Sequence, residues 1–81
     1  MYEKLGAVAP LLENLRATLS APDAGMHVSA IVAALDETAH EISNEALSVE
    51  NGAERAALHK IYRGMLAAKR IVARLHELSP A

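Results

Sequence analysis

Residues 53–78 read AERAALHKIYRGMLAAKRIVARLHEL, and this stretch decides the fold. Its apolar side chains recur at alternating spacings of three and four residues, which is the period of one face of an α-helix. The residues on this period are Leu58, Ile61, Met65, Ala68, Val72 and Leu75. Ser79-Pro80 follows and is typical of a helix stop. The sequence therefore predicts a long amphipathic helix from about Ala53 to Leu78.

Two further segments upstream show the same helical period. The middle segment carries Val28, Val32, Leu35, Ala39, Ile42 and Ala46. The first segment carries Leu5, Val8, Leu12, Leu15 and Leu19. No segment alternates with the period of a β-strand, so we expect an all-α protein.

Pro, Gly, Asp and Asn mark the ends of these helices. Pro10 disrupts a helix interior, so we expect the first main helix to begin near Pro10 after a looser turn. Residues 20–25 have the composition of a turn, and Asp23 is a candidate N-cap for the middle helix. Asn51, with Glu54 three residues on, resembles a capping box at the start of the last helix.

Three helices joined by short turns predict a small antiparallel three-helix bundle. The alternative is a long helical hairpin with a loose N-terminal arm. With 81 residues, the chain has the size of one domain, which we place over residues 1–81.

The charges are divided between the middle and last segments. Residues 25–54 contain six acidic side chains and no Lys or Arg: Asp36, Glu37, Glu41, Glu45, Glu50 and Glu54. Residues 55–75 contain six basic side chains and no Asp or Glu: Arg55, Lys60, Arg63, Lys69, Arg70 and Arg74. The protein should therefore display an acidic face and a basic face.

Helical angles, at roughly 100° per residue, place most of these charges away from the core. Glu37, Glu41 and Glu45 fall opposite Leu35, and Arg63, Arg70 and Arg74 fall opposite Ile61. Residues at the edges of the two stripes can bridge the helices: Asp36, Glu45, Lys60 and Lys69. Either the stripes are solvated helix faces, or they steer a partner toward the protein.

Gly64 lies inside the predicted last helix, where Gly costs about 1 kcal/mol relative to Ala. Ala57, Ile61, Gly64, Ala68 and Ile71 share one side of that helix and would form a groove of small residues. Either the first helix of the same chain fills this groove, or a partner helix does.

The apolar arc of the last helix is too wide for one neighbouring helix. We therefore expect apolar surface to remain exposed there, with Tyr62 and Met65 as contacts and not all of Tyr62, Met65 and Leu66 buried.

Composition and motifs argue against several function classes. There is no Cys, no Gly-x-Ser-x-Gly elbow and no Gly-rich phosphate loop, so we expect neither an enzyme nor a cofactor. Histidines near the ends of two helices, His27 and His76, lack further ligands for a metal site. The N-terminal sequence lacks the pattern of a signal peptide, and no stretch could span a membrane. We expect a cytoplasmic protein.

Nucleic-acid binding through the basic face of the last helix is the alternative function. The residues that could contact phosphates along this helix are Arg55, Lys60, Arg63, Arg70 and Arg74. The net charge of −2 and the acidic neighbouring helix argue against it.

The stretch from Leu58 to Leu75 resembles the C-terminal helix of small co-chaperones of bacterial type III secretion. Those proteins are short, helical and poor in Cys, and they hold a partner chaperone or needle subunit. The resemblance implies a non-catalytic protein of this kind, but the break at Ala9-Pro10 and a third helix depart from the simpler hairpin of that family.

The sequence therefore predicts a protein-interaction module, whether adaptor, co-chaperone or small inhibitor, that binds through its C-terminal helix. Its partner is another protein or a second copy of itself. The predicted contact residues are Ile61, Tyr62, Arg63, Gly64, Met65, Ala68, Arg70 and Arg74.

Overall fold

The computed structural model describes residues 2–78, which form four α-helices and no strand. The helices are α1 (Glu3–Glu13), α2 (Leu15–Ser20), α3 (Ala24–Ser48) and α4 (Gly52–Leu78). This confirms the all-α fold class and a small helical bundle. The predicted stop of the last helix at Ser79-Pro80 lies outside the described residues.

Helix α3 is the centre of the bundle. The other three helices all pack against it, and it supplies most of the buried side chains. Ile31, Thr38 and Ile42 are its most deeply buried large side chains. Residues 49–51 connect α3 to α4, and the molecule measures 47 × 21 × 16 Å. The architecture is thus a long helical hairpin against which the N-terminal helices pack as an arm.

The N-terminal arm differs from the prediction around Pro10. Pro10 lies inside α1, and the helix instead breaks at Asn14, where φ is −128° and ψ is 60°. Pro10 has no N–H group to donate to the carbonyl oxygen of Gly6, one turn earlier. Both residues are exposed, so water can hydrogen-bond to that oxygen instead. The hydroxyl group of Thr18, which is buried, donates to the carbonyl oxygens of Leu11 at 2.8 Å and Asn14 at 3.1 Å. These bonds stabilise the break between α1 and α2.

The two predicted N-caps have different outcomes. Asn51 caps α4, since its Oδ1 accepts from the backbone N–H groups of Ala53 at 2.9 Å and Glu54 at 3.1 Å. Asp23 occupies the N-cap position of α3 but makes no capping hydrogen bond. Its carboxylate instead lies 2.9 Å from Nε2 of His27, so the neighbouring imidazole replaces the backbone as its partner.

Candidate interaction surface

Helix α4 packs against the bundle along one side. Val72 is its one buried side chain among the described residues, at 5% exposure. Leu58, Met65 and His76 lie on the same side and are half-buried. The main neighbour of α4 is α3, whereas α1 and α2 pack chiefly on α3. One flank of α4 is therefore left without a neighbouring helix.

That flank carries a second apolar stripe, here called the open stripe. Its members follow one another at spacings of four and three residues in alternation: Ala57, Ile61, Gly64, Ala68, Ile71, Leu75 and Leu78. Ile71 is 59% exposed and Leu78 is 66% exposed, while Ile61 and Leu75 are each more than one-third exposed. Only Ala68 is half-buried, where it packs against the core. Apolar surface thus remains exposed on α4, as the sequence predicts.

Gly64 lies in the middle of the open stripe and faces open space. A Cβ atom built at this position would meet no atom within 4 Å. The interpretation that the first helix of the same chain fills the groove at Gly64 is therefore wrong. Helix α1 packs chiefly on α3, and among the described residues none covers the groove at Gly64.

The predicted basic residues lie at and beyond the outer edge of the open stripe. Arg63, Arg70 and Arg74 are exposed, and Nη1 of Arg74 donates to Glu77 at 3.4 Å. Lys60 is also exposed and directly precedes Ile61 of the stripe. At about 100° per residue, Lys60 and Arg74 follow the outer edge of the stripe, and Arg63 and Arg70 lie further round. The outer surface of α4 is thus apolar beside a basic margin.

Tyr62 lies on the other flank of α4, whereas Met65 lies on the core-facing side with Val72. Met65 is half-buried and packs against the core. Tyr62 and Leu66, also half-buried, line an open surface pocket of about 380 Å³ that also includes residues of α3 such as His40. Of the predicted contact residues, Ile61, Gly64 and Ala68 therefore share the open stripe, whereas Tyr62 and Met65 are separated from it.

Ion pairs join α1 and α4 to acidic side chains of α3. Nζ of Lys69 donates to Oδ1 of Asp36 at 2.9 Å, which is one of the helix-bridging contacts expected from the sequence. Nζ of Lys4 on α1 donates to Glu41 and lies 4.0 Å from Glu37. The hydrogen bond to the Glu41 carboxylate raises the pKa of Lys4 above its ordinary value.

The contact with Lys4 was missed from the sequence, which placed Glu37 and Glu41 in solvent. The available signal was that Lys4 is one of only two Lys or Arg residues before residue 55. Its partners could not be identified, because the helical angle of a residue does not define where another helix crosses it.

Two other features of the described residues bear on chemistry. Within residues 2–78, no three His, Cys, Asp or Glu side chains come together in a group that could hold a metal ion. In the same range, no helix is long and apolar enough to cross a membrane.

The fold and this surface define a small all-α protein whose long C-terminal helix leaves one apolar flank open. Residues 2–78 match the model of a family described as type III secretion system regulatory protein HrpD6, and the chain belongs to this family. No curated protein and no solved structure matches it. The family confirms the link to type III secretion that the sequence resemblance implies, and it describes a regulatory role.

Proposed function

We propose that this protein is a non-catalytic, cytoplasmic regulatory module of bacterial type III secretion that binds another protein through α4. It works without a cofactor, as an adaptor, a co-chaperone or a small inhibitor. The membership of the chain in a secretion regulatory family supports the biological setting. The open stripe on α4 supports the mode of action.

The exposed apolar flank of α4 is the single observation that carries the proposal. Ile71 and Leu78 expose most of their side-chain surface, although they lie on a helix of 27 residues that packs along its other flank. Apolar surface gains about 25 cal/mol per Å² when it leaves water, so an uncovered row of such residues favours association. Contiguous apolar patches with a polar margin are typical of protein-binding surfaces.

The residues named from the sequence have distinct roles in this proposal. Ile61, Gly64 and Ala68 supply close contact area in the groove. Arg63, Arg70 and Arg74 steer and orient a partner, because exposed charges at an interface margin change encounter rates more than affinity. Tyr62 contributes only at the opposite flank, where it lines the pocket, and Met65 contributes through the part of its side chain that the core leaves uncovered.

Site-specific photocrosslinking in bacteria with an active type III secretion system tests the proposal. A photoreactive amino acid at Ile71 should crosslink to a protein of the secretion system. The matched control is Met26, which is 70% exposed but lies on α3 and is not part of the open stripe. Absence of a secretion-system crosslink at Ile71, or equal crosslinking at Met26, would overturn the proposal.

Charge reversal separates the steering role from the contact role. Replacement of Arg63, Arg70 and Arg74 by Glu should abolish capture of the crosslinked partner while the circular dichroism spectrum stays helical. Unchanged capture would remove the steering role of these three arginines from the proposal.

The alternative of nucleic-acid binding predicts retention on DNA that falls steeply with salt. The pairing of Lys69 with Asp36 places acidic charge beside the basic residues of α4 and favours the protein-binding function.

A further inference from the structure

The open stripe has the residue spacing of a coiled-coil seam. Its members alternate at four and three residues from Ala57 to Leu78, which is the heptad pattern of helices that pack side by side. At 1.5 Å per residue, the stripe extends for about 30 Å along α4. This length and the regular spacing match an α-helix better than a loop or an extended peptide.

The sizes of the side chains define how such a helix would lie. Ile71, Leu75 and Leu78 give the C-terminal half of the stripe large apolar side chains, whereas Gly64 and Ala68 make its middle shallow. Since a Cβ atom at Gly64 would meet nothing within 4 Å, the backbone of a docked helix can approach α4 most closely there. Small residues at a helix interface permit such close approach.

The charges beside the stripe indicate which helix fits. Lys60 and Arg74 directly precede the seam residues Ile61 and Leu75, at positions that contact the flanks of a partner helix in a coiled coil. Both are exposed, and residues 55–75 contain no acidic side chain. A second copy of α4 would bring Lys60 and Arg74 again to the same margin, and these like charges disfavour the pairing of two copies.

Helix α3 of a second copy, which carries the acidic side chains, does not fit the open stripe either. The apolar side of α3 is buried in the core, with Ile31 and Ile42 fully covered. Glu41 is half-buried in its contact with Lys4. Helix α3 of another copy therefore offers acidic charge without an apolar seam to pack on the open stripe.

We propose, building on the function proposed above, that the occupant of the open stripe is an amphipathic helix of a different protein with acidic flanks. This helix packs an apolar seam against Ile61, Ile71, Leu75 and Leu78. Its Glu or Asp side chains flank that seam and contact Lys60 and Arg74. Complementary flank charges determine partner choice in helix pairs of this kind.

Two matched synthetic helices test the chemistry of the occupant. Both carry Leu on a three-heptad seam, one with Glu and the other with Lys at every flanking position. The like charges on each peptide keep it from pairing with itself. Fluorescence anisotropy with the full chain should show the Glu peptide binding at least about tenfold more tightly at low salt, with a smaller difference at high salt.

Variants of the full chain locate the binding. Gly64→Leu and Ile71→Asp should each weaken binding of the Glu peptide about tenfold or more. Met26→Asp, on the exposed start of α3, should leave it unchanged. Circular dichroism should show equal helicity for all three variants, because both substituted positions on α4 are exposed.

Three results would overturn the inference: equal affinity for the two peptides, no binding of either, or a homodimer in light scattering that Ile71→Asp dissociates. If the photocrosslink at Ile71 forms but the peptides bind equally, the inference of a partner helix with acidic flanks is wrong and the proposed function stands. If that crosslink fails while the Glu peptide binds selectively, the chemistry of the surface stands and its role in secretion is wrong.

Discussion

Ile71 and Val72 are adjacent in sequence, yet Val72 is buried in the core and Ile71 is mostly exposed. One residue turns an α-helix by about 100°, so the edge of the core runs between these two side chains. Both are β-branched apolar residues of similar character, and composition alone does not distinguish them. Their difference arises because α4 has α3 on one flank and no helix on the other.

Val72→Ala should therefore destabilise the protein by about 1–2 kcal/mol, since it removes buried methyl groups from the core. Ile71→Ala should change stability by less than about 0.5 kcal/mol, because the lost side chain is exposed and Ala favours helix. Urea unfolding followed by circular dichroism measures both. An equally large loss for Ile71→Ala would mean that the open stripe is covered in the isolated protein.

Gly64→Ala should stabilise the protein by up to about 1 kcal/mol, because Ala has a higher helix propensity and its Cβ atom meets no neighbour. Thermal unfolding provides the measurement. Gly52→Ala is the matched control. Gly52 also faces open space but is the first residue of α4, where helix propensity contributes less to stability. A destabilised Gly64→Ala variant would show that another helix lies against this position.

Asn51→Ala should cost about 1 kcal/mol, because it leaves the N–H groups of Ala53 and Glu54 without their acceptor. Asn51→Ser should retain most of the stability, since Ser is also a good N-cap. Asp23→Ala should cost less than Asn51→Ala, because Asp23 makes no capping hydrogen bond. Chemical unfolding of the three variants tests this order, and a larger loss for Asp23→Ala would contradict it.

The ion pair between Lys69 and Asp36 should contribute little to stability. Asp36 is well exposed, and exposed pairs are worth about 0–1 kcal/mol. A double-mutant cycle with Lys69→Met and Asp36→Ala should give a coupling energy within that range that decreases as salt is added. A coupling unaffected by salt would indicate a pair shielded from solvent.

The sequence predicted the parts of the fold that depend on local periodicity. The three-four alternation identified the long helices and most of the core of α3, because a helix face is defined by residues close in sequence. It also placed Ile61, Gly64 and Ala68 on one side of α4.

The sequence did not predict the features that depend on how helices cross. The path of α1 past Pro10 and the contact of Lys4 with Glu41, across 37 residues, follow from the packing of the arm on α3. The sequence also could not show that the groove at Gly64 is empty, because this depends on which flank of α4 the N-terminal helices leave uncovered.

The contact of Lys4 with Glu41 should make attachment of the N-terminal arm sensitive to alkaline pH. Because this hydrogen bond raises the pKa of Lys4 in the folded state, its stabilisation is fully present below the unfolded pKa of about 10.4. It is lost as pH rises through the higher folded pKa and the ammonium group deprotonates. Thermal unfolding should therefore show a stability difference between the wild type and Lys4→Gln that is constant well below the unfolded pKa and disappears once the pH exceeds the raised folded pKa of Lys4. Arg16→Gln, at an exposed position of α2, is the charge-matched control and should show no such change. A wild-type advantage over Lys4→Gln that persists above that pH would mean that packing of the Lys4 chain, rather than its charge, holds the arm on α3.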